Sequence, residues 1–395
     1  MRLTRTFRFF AALCAAAAAL PCTAATSCDF SAVDQRMQQL LARNGVSDGG
    51  LLIGSAQGVL FKKYYGSYDD STVIPLASAS KLLAGLRVLQ ANDAGLADLD
   101  APVSTLLPAP TFQWQPGNAG ITLRQMFSHT AGYGDDRNNP LMYDQHITLE
   151  QSVQDIAKDY LGLAPQNYAP AGSQFAYGGI SMQVGGEVVQ WRSGADWQLG
   201  WQQAIGAPLC ASSIDWQGLV TDKTQPTANY PIAGGAEAAL EDYARVLAMI
   251  AADGVGNGIR ILSPAAIQTL IHNQTGDAIL GYAPPAADGS TQYGIGVWLE
   301  PSGVSIDAPT ISDIGLFGFA PWVDFSTHTF GIAMLYQPNP AFGVDPSANS
   351  HLAIVDMIAA LRTLPGGGAS CARSETYDRI FRAAMESTAP APMCR

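Results

Sequence analysis

The sequence has few basic residues. Its 395 residues include 21 Lys and Arg against 33 Asp and Glu, so the formal net charge is −12. This balance does not supply the basic surface that phosphate contacts require, and we expect no nucleic-acid partner. Charged residues make up only 14% of the chain and hydrophobic residues 48%, which argues against disorder and predicts a globule with a sizeable core.

Long apolar runs are lacking after the first 25 residues, so we expect no stable membrane insertion. The N-terminus has three arginines within its first eight residues, then an apolar stretch over 9–20 and small residues up to Ala25. This order is typical of a secretory signal peptide, cleaved near Ala25. A lipoprotein signal at Cys22 is the alternative, which Pro21 fits poorly. The mature protein is therefore expected in the periplasm or outside the cell.

Metal-binding patterns are lacking as well. No CxxC pair occurs and the five His are scattered, so we expect no metal or other cofactor. Two of the six Cys lie in the predicted signal peptide, and the even number that remains predicts two disulfides in an exported chain. Four cysteines allow three connectivities. The short C-terminal spacing favours Cys371–Cys394 together with Cys28–Cys210.

Apolar periodicity predicts strands near both ends of the chain and helices between them. Runs at 51–55 and 59–65, and again at 293–300, 315–325 and 330–336, are typical of strands. Segment 78–91 and several segments between 123 and 253 have helical spacing. This order indicates an α/β protein of the α+β type, with a mostly helical region inserted into a sheet. The predicted regions are a signal peptide (1–25), a sheet lobe (26–90 plus 258–365), a helical lobe (91–257) and a C-terminal tail (366–395).

A candidate nucleophile stands at the start of the helix predicted over 78–91. Ser78 and Lys81 form an SxxK motif, and residues three apart lie on the same face of a helix. A serine needs a nearby base to act as a nucleophile, and a lysine with a lowered pKa can serve. The alternative is that Ser78 or Ser80 caps the helix and Lys81 lies at the surface. No GxSxG motif occurs, which argues against an α/β-hydrolase.

Further segments carry a resemblance to a known family. In this order they are LADLDAPV (96–103), ITLRQMFSHTAG (121–132), PAGSQFAY (170–177) and NGIRILSP (257–264). Together with SxxK they resemble the β-lactamase-related serine hydrolases, which include class C β-lactamases, DD-peptidases, family VIII carboxylesterases and amide hydrolases. The resemblance runs from about 51 to about 364. It implies a β-lactamase/transpeptidase-like fold, with a mainly antiparallel sheet flanked by helices.

The resemblance also implies roles for individual residues. Ser78 corresponds to the acylated nucleophile, Lys81 to its activating partner and Tyr177 to the tyrosine of the family's YxN motif, which shares the proton transfers. A phenol near a cationic lysine is expected to have its phenolate favoured. The third place of YxN is Gly179, so the family's polar anchor for the substrate is lost. His129 is interpreted as a brace for a loop and not as a base.

The family's third motif, KTG, is replaced here by Asp313-Ile314-Gly315. Gly315 would let the substrate lie against the strand, and the N–H groups of Ser78 and Leu316 would form the oxyanion hole. The lysine of KTG helps to bind a substrate carboxylate, whereas an aspartate in its place would repel one. The substrate is therefore expected to be an uncharged ester, or an amide without a nearby carboxylate.

These features favour an exported serine hydrolase that acts through an acyl-enzyme on a small ester. A β-lactamase, DD-peptidase or amide hydrolase of the same family is the first alternative. A catalytically silent binding protein on the same fold is the second, since Gly179 and Asp313 depart from the family pattern. The sequence does not fix the oligomeric state.

Overall fold

A computed structural model describes residues 27–134, 140–163, 169–220, 224–287, 289–300 and 308–371. The predicted signal peptide, Cys394 and the rest of the predicted C-terminal tail after residue 371 lie outside these residues. The helices are α1 (Ser31–Arg43), α2 (Ser80–Asp93), α3 (Val103–Leu106), α4 (Leu123–Phe127), α5 (Leu149–Leu163), α6 (Ile180–Ser193), α7 (Trp197–Trp201), α8 (Ala207–Leu209), α9 (Leu240–Ala251), α10 (Pro264–Ile271) and α11 (Pro346–Arg362).

The strands fall into one large sheet and three small ones. In chain order they are β1 (Gly49–Ser55), β2 (Gly58–Tyr65), β3 (Val73–Pro75), β4 (Gln174–Ala176), β5 (Glu237–Ala239), β6 (Val255–Gly256), β7 (Ile259–Arg260), β8 (Ile279–Tyr282), β9 (Trp298–Glu300), β10 (Thr310–Ser312), β11 (Ala320–Asp324) and β12 (Thr329–Met334).

The large sheet is antiparallel throughout and has the strand order β2-β1-β12-β11-β10-β9. Its first two strands come from the N-terminal part of the chain and the other four from the C-terminal part. In the centre, Leu52 lies opposite both Lys62 of β2 and Ile332 of β12. The elements between β2 and β9 are mostly helical. The predicted fold class, a mainly antiparallel sheet flanked by helices, is confirmed.

Helices cover both faces of this sheet, because successive side chains of a strand point to opposite faces. Leu51 and Ile53 pack into a core formed with α1 and α11. Leu52 points the other way, into a larger core that includes α2 and α9. Every residue of β1 is therefore buried. Within the described residues, no helix is long and apolar enough to cross a bilayer.

Two of the predicted strands are shorter than expected. The run predicted over 293–300 forms a strand only from Trp298, and the run predicted over 315–325 only from Ala320. In the second case the chain turns first, since Gly315 donates its N–H to the Phe319 carbonyl at 2.8 Å and Gly318 has a φ of 105°. Apolar composition alone does not distinguish such a turn from a strand.

The disulfide pairing that the sequence favours, Cys371–Cys394 with Cys28–Cys210, is wrong. Cys28 is bonded to Cys371, with the two Cα atoms 5.5 Å apart. The reason is the packing of α1 against α11, which brings the segments just before α1 and after α11 together. Cys210 is also disulfide-bonded. Spacing along the chain was a poor guide, because the bond joins residues 343 positions apart.

A buried acid in α6 makes the stability of the fold depend on pH. Glu187 is 1% exposed, and its carboxylate accepts a hydrogen bond from Gln190 at 2.8 Å. Burial, with a smaller contribution from Glu150, raises the pKa of the Glu187 carboxyl from 4.5 to about 8. Between pH 4.5 and about pH 8, Glu187 keeps its proton in the folded chain and has lost it in the unfolded chain. The free energy of unfolding therefore falls as the pH rises through this window.

We expect Glu187→Gln to remove this pH dependence, because the amide is neutral at every pH and fills the same space. The variant should match the parent near pH 5 and exceed it near pH 9, by on the order of 4 kcal/mol. Chemical denaturation at both pH values measures the difference. The exposed Asp356→Asn serves as the control. The raised pKa of Glu187 would be contradicted if the free energies of unfolding of Glu187→Gln and the parent differed by the same amount at both pH values.

Candidate active site

Ser78 lies on a short turn that joins the end of β3 to the start of α2. Residues Ala77–Ala79 form a single 3₁₀ turn, and Ala77 has a positive φ of 48°. Ser80 holds this turn, since its Oγ donates to the Ala77 carbonyl at 2.6 Å and accepts the Ala236 N–H at 2.9 Å. Ser78 makes no capping hydrogen bond to α2, whose N-cap residue is Ala79. The hydroxyl of Ser78 instead faces a cavity.

Lys81 follows one turn later and reaches back to Ser78, as the SxxK spacing predicts. Its Nζ lies 3.1 Å from Ser78 Oγ and donates to the Ala233 carbonyl at 2.9 Å. The residue is only 4% exposed. The alternative of a surface lysine is therefore excluded. The geometry suits proton transfer, because 3.1 Å lies within hydrogen-bond reach.

Tyr177 completes the group just after β4. Lys81 Nζ lies 4.6 Å from the centroid of its ring. Burial is the main cause that raises the pKa of the Tyr177 phenol far above its usual value; the charge of Asp313 adds to this, and a hydrogen bond with Ser78 opposes it. The phenol is therefore protonated at neutral pH. The expectation that Lys81 would favour the phenolate is wrong, because desolvation dominates in a buried site.

Aromatic rings hold Tyr177 in place. The Trp298 ring stacks on it at 5.3 Å with an interplanar angle of 20°, and the His129 ring lies 4.6 Å away. His129 also contacts Tyr293 at 4.7 Å and accepts the Gly178 N–H at 3.4 Å through Nδ1. Burial, followed by the charge of Lys81, lowers the pKa of His129 well below its usual range. The imidazole is thus neutral, and its contacts are those of a brace.

The cavity in front of Ser78 has a volume of about 600 Å³. This size suits a small-molecule ligand. Lys81 and Tyr177 lie in its wall, together with the sequence-predicted residues Gly179 and Leu316. Much of the remaining lining is apolar, for example Met142, Leu219, Trp298 and Phe317. Among the described residues, no group of three or more His, Cys, Asp or Glu is placed to hold a metal ion.

Comparison with known protein families shows which family the chain belongs to. The model of the family described as beta-lactamase matches residues 33–355. The chain belongs to the beta-lactamase family. The match spans both parts of the large sheet and the helical region between them, so it includes the whole of the cavity wall described above.

Three known proteins are similar to this chain to different extents. A solved structure from Bacteroides dorei, assigned to the beta-lactamases, is 26% identical and superposes with a TM-score of 0.70, over 83% of this chain and 97% of that one. EstCE1, a hydrolase with promiscuous acyltransferase activity, is 19% identical with a TM-score of 0.61, over 83% and 99%, which shows the fold alone. Monacolin J acid methylbutanoyltransferase of Aspergillus terreus is 32% identical over 149 residues, or 34% of this chain and 35% of that protein.

The aspartate that the resemblance aligns with the lysine of the family's KTG motif is buried. Asp313 is fully buried, and its Oδ2 accepts the Leu82 N–H at 2.7 Å at the start of α2. Burial raises the pKa of Asp313 well above its usual value, and Lys81 opposes this. Its side chain lies beneath α2, and Asp313 is not among the described residues that line the cavity. The expectation that it repels a substrate carboxylate by direct contact is therefore wrong.

Gly315, which keeps the glycine of KTG, and Gly179, which replaces the asparagine of YxN, also have packing reasons. A Cβ at Gly315 would overlap the Leu76 carbonyl oxygen. Glycine is therefore required for the segment after β10 to approach the turn before Ser78. A Cβ at Gly179 would overlap the terminal methyl group of Met142. Where the family's YxN motif has an asparagine, this site has an apolar contact. The sequence analysis missed Met142, Trp298 and Tyr293 as site residues, because no motif surrounds them.

We expect Gly315→Ala to lower the activity of the site, because the new methyl group would push the segment after β10 away from Leu76. A displacement of about 1 Å costs on the order of 100-fold in kcat/KM. Hydrolysis of nitrophenyl butyrate measures the change, and circular dichroism reports on folding. Gly120→Ala is the matched control, since Gly120 is exposed and a Cβ there meets no atom within 4 Å. Parent-like kcat/KM for Gly315→Ala would contradict the proposed close approach.

Proposed function

We propose that the protein is an exported serine hydrolase that cleaves small esters without a carboxylate through an acyl-enzyme on Ser78. The observation that carries this proposal is the 3.1 Å distance between Lys81 Nζ and Ser78 Oγ, at the wall of a largely apolar cavity. The disulfide between Cys28 and Cys371 supports export, because such bonds persist in oxidising compartments.

The reaction proceeds in two halves. In the first, Lys81, after it has released its own proton to solvent, takes the proton from Ser78 Oγ as that oxygen attacks the ester carbonyl. The N–H groups of Ser78 and Leu316 donate hydrogen bonds to the oxyanion. The leaving alkoxide takes a proton from Tyr177, whose raised pKa keeps the phenol protonated, and Lys81 returns a proton to Tyr177. In the second half a water molecule attacks the acyl-enzyme by the same route, which releases the acid and restores Ser78.

Esters are favoured over β-lactams because the cavity offers no suitable cation for a carboxylate. Among the described lining residues the basic side chains are Lys81 and His351. Lys81 is engaged with Ser78 and the Ala233 carbonyl, and His351 is paired with Glu300. Gly179 also lacks the amide with which the family's asparagine contacts an amide substrate. An ester needs neither contact.

Acyl transfer to an alcohol is the second candidate. The relative from Aspergillus terreus is named as an acyltransferase, and EstCE1 combines hydrolysis with acyl transfer. The chain matches only about a third of the length of that curated relative. A cavity of about 600 Å³ has room for an alcohol beside the acyl group. In this reaction the alcohol replaces water in the second half, and Lys81 takes its proton.

We expect Ser78→Ala to lower hydrolysis of nitrophenyl butyrate by on the order of 10⁴-fold, because it removes the nucleophile. Tyr177→Phe should lower it by about 100-fold, because it removes only a proton donor. Steady-state kinetics and mass spectrometry of the acyl-enzyme measure both effects. A chromogenic cephalosporin should react at least about 100-fold more slowly than the ester.

The control for these variants is Ser104→Ala, a serine that is not among the described cavity residues and whose Oγ donates to the Ala119 carbonyl. A cephalosporin turned over faster than the ester would overturn the ester assignment and favour the β-lactamase alternative. Binding without Ser78-dependent turnover of any ester or amide would favour the silent binding protein.

If acyl transfer occurs, added butanol should divert part of the acyl-enzyme to butyl butyrate. The rate of nitrophenol release should then rise when deacylation limits turnover, because the alcohol adds a second route from the acyl-enzyme. Gas chromatography of the product ester measures the partition, with Ser78→Ala as the control. Butyric acid as the sole product at high butanol concentration would restrict the function to hydrolysis.

A further inference from the structure

A second polar centre lies in the wall of the same cavity, and the proposed reaction does not use it. Glu300, at the end of β9, pairs with His351 of α11, whose Nε2 lies 2.9 Å from Glu300 Oε2. Glu300 Oε1 accepts the hydroxyl of Ser312. The two side chains are largely buried, at 5% and 19% exposure for Glu300 and His351. Both residues nevertheless line the cavity.

The charge of this pair is zero or negative in every protonation state of the imidazole while Glu300 is ionised. A neutral His351 donates its Nε2–H to the carboxylate and leaves one negative charge. A protonated His351 neutralises the carboxylate but leaves no net positive charge. Glu300 is also the sole acidic residue among the described residues that line the cavity. The net charge of −12 adds a long-range field of the same sign.

The Glu300 carboxylate also has lone-pair sites that its contacts with the described residues leave open. Each oxygen of a carboxylate has two lone-pair sites, and the contacts with Ser312 and His351 fill one on each oxygen. A hydrogen bond to an ionised acceptor is about twice as strong as one between neutral groups. A buried carboxylate is destabilised unless its charge is compensated. An ammonium group of a ligand supplies both the donor and the compensating charge.

We propose that Glu300 and His351 form a subsite for a ligand ammonium group, so that the preferred substrates are esters that carry a primary amine away from the scissile carbonyl. This inference rests on the proposed esterase function, because it names the class of ester. Apolar residues such as Ile314 and Phe317 line the same cavity. They suit an aliphatic linker between the ester and the amine.

Three inhibitors of equal length test the subsite: hexylammonium, hexanol and hexanoate, each competing with nitrophenyl butyrate at neutral pH. We expect hexylammonium to have an inhibition constant about tenfold lower than that of hexanol, and hexanoate to be the weakest of the three. In Glu300→Gln, hexylammonium and hexanol should become equal, because the amide has no charge. Turnover of nitrophenyl butyrate itself, which has no amine, should stay within about threefold of the parent value.

Asp356→Asn is the matched control, because it removes one negative charge from α11 at an exposed carboxylate outside the cavity. It should leave all three constants unchanged. The ranking in the parent protein tests the proposal even if Glu300→Gln does not fold. Hexanoate as the strongest inhibitor, or equal constants for hexylammonium and hexanol in the parent, would overturn the subsite. The inhibition constants can be measured only if the protein turns over nitrophenyl butyrate. Failure of the esterase proposal would therefore be seen first, as the absence of Ser78-dependent hydrolysis in the assay without inhibitor.

Discussion

The close packing of the segment after β10 against the start of α2 is the constraint on which the candidate site depends. Residues 313 and 315 lie two apart in an extended segment, so both face the same way. Asp313 binds the Leu82 N–H, and Gly315 allows the backbone to meet the carbonyl of Leu76. One contact fixes the helix that carries Lys81, and the other fixes the turn that carries Ser78. The sheet thereby positions the candidate nucleophile, Ser78.

Burial determines the protonation states in this site. Desolvation disfavours the charged form of every group, so the imidazole of His129 is neutral, the phenol of Tyr177 is protonated, and Asp313 has a raised pKa. In the proposed reaction, charge develops on the substrate oxygen when Ser78 attacks, and the proposed N–H donors act on it in a low-dielectric environment, where their effect is greatest.

The sequence predicted the parts of this protein that depend on local spacing. The SxxK motif placed Ser78 next to Lys81, and the period-2 and helical patterns indicated a sheet built from both termini. It did not predict features that depend on packing between distant segments. Cys28 and Cys371 are joined across 343 positions, and Glu300 pairs with His351 across 51. Neither pair has a motif, because only the tertiary fold brings the residues together.

Asp313 shows that the role which the sequence suggests for a residue can differ from the role that the fold gives it. Read as a replacement for the family's lysine, it would present a negative charge to the substrate. In the fold it points away from the cavity and binds the start of α2, so the loss of the lysine removes a positive charge without adding a negative one there. The negative charge in the cavity comes from Glu300, on a different strand. In the proposed function, a substrate carboxylate lacks the lysine partner of the KTG motif, and Glu300 opposes its entry. Selection against anionic substrates would then depend on Glu300 as well as on that motif.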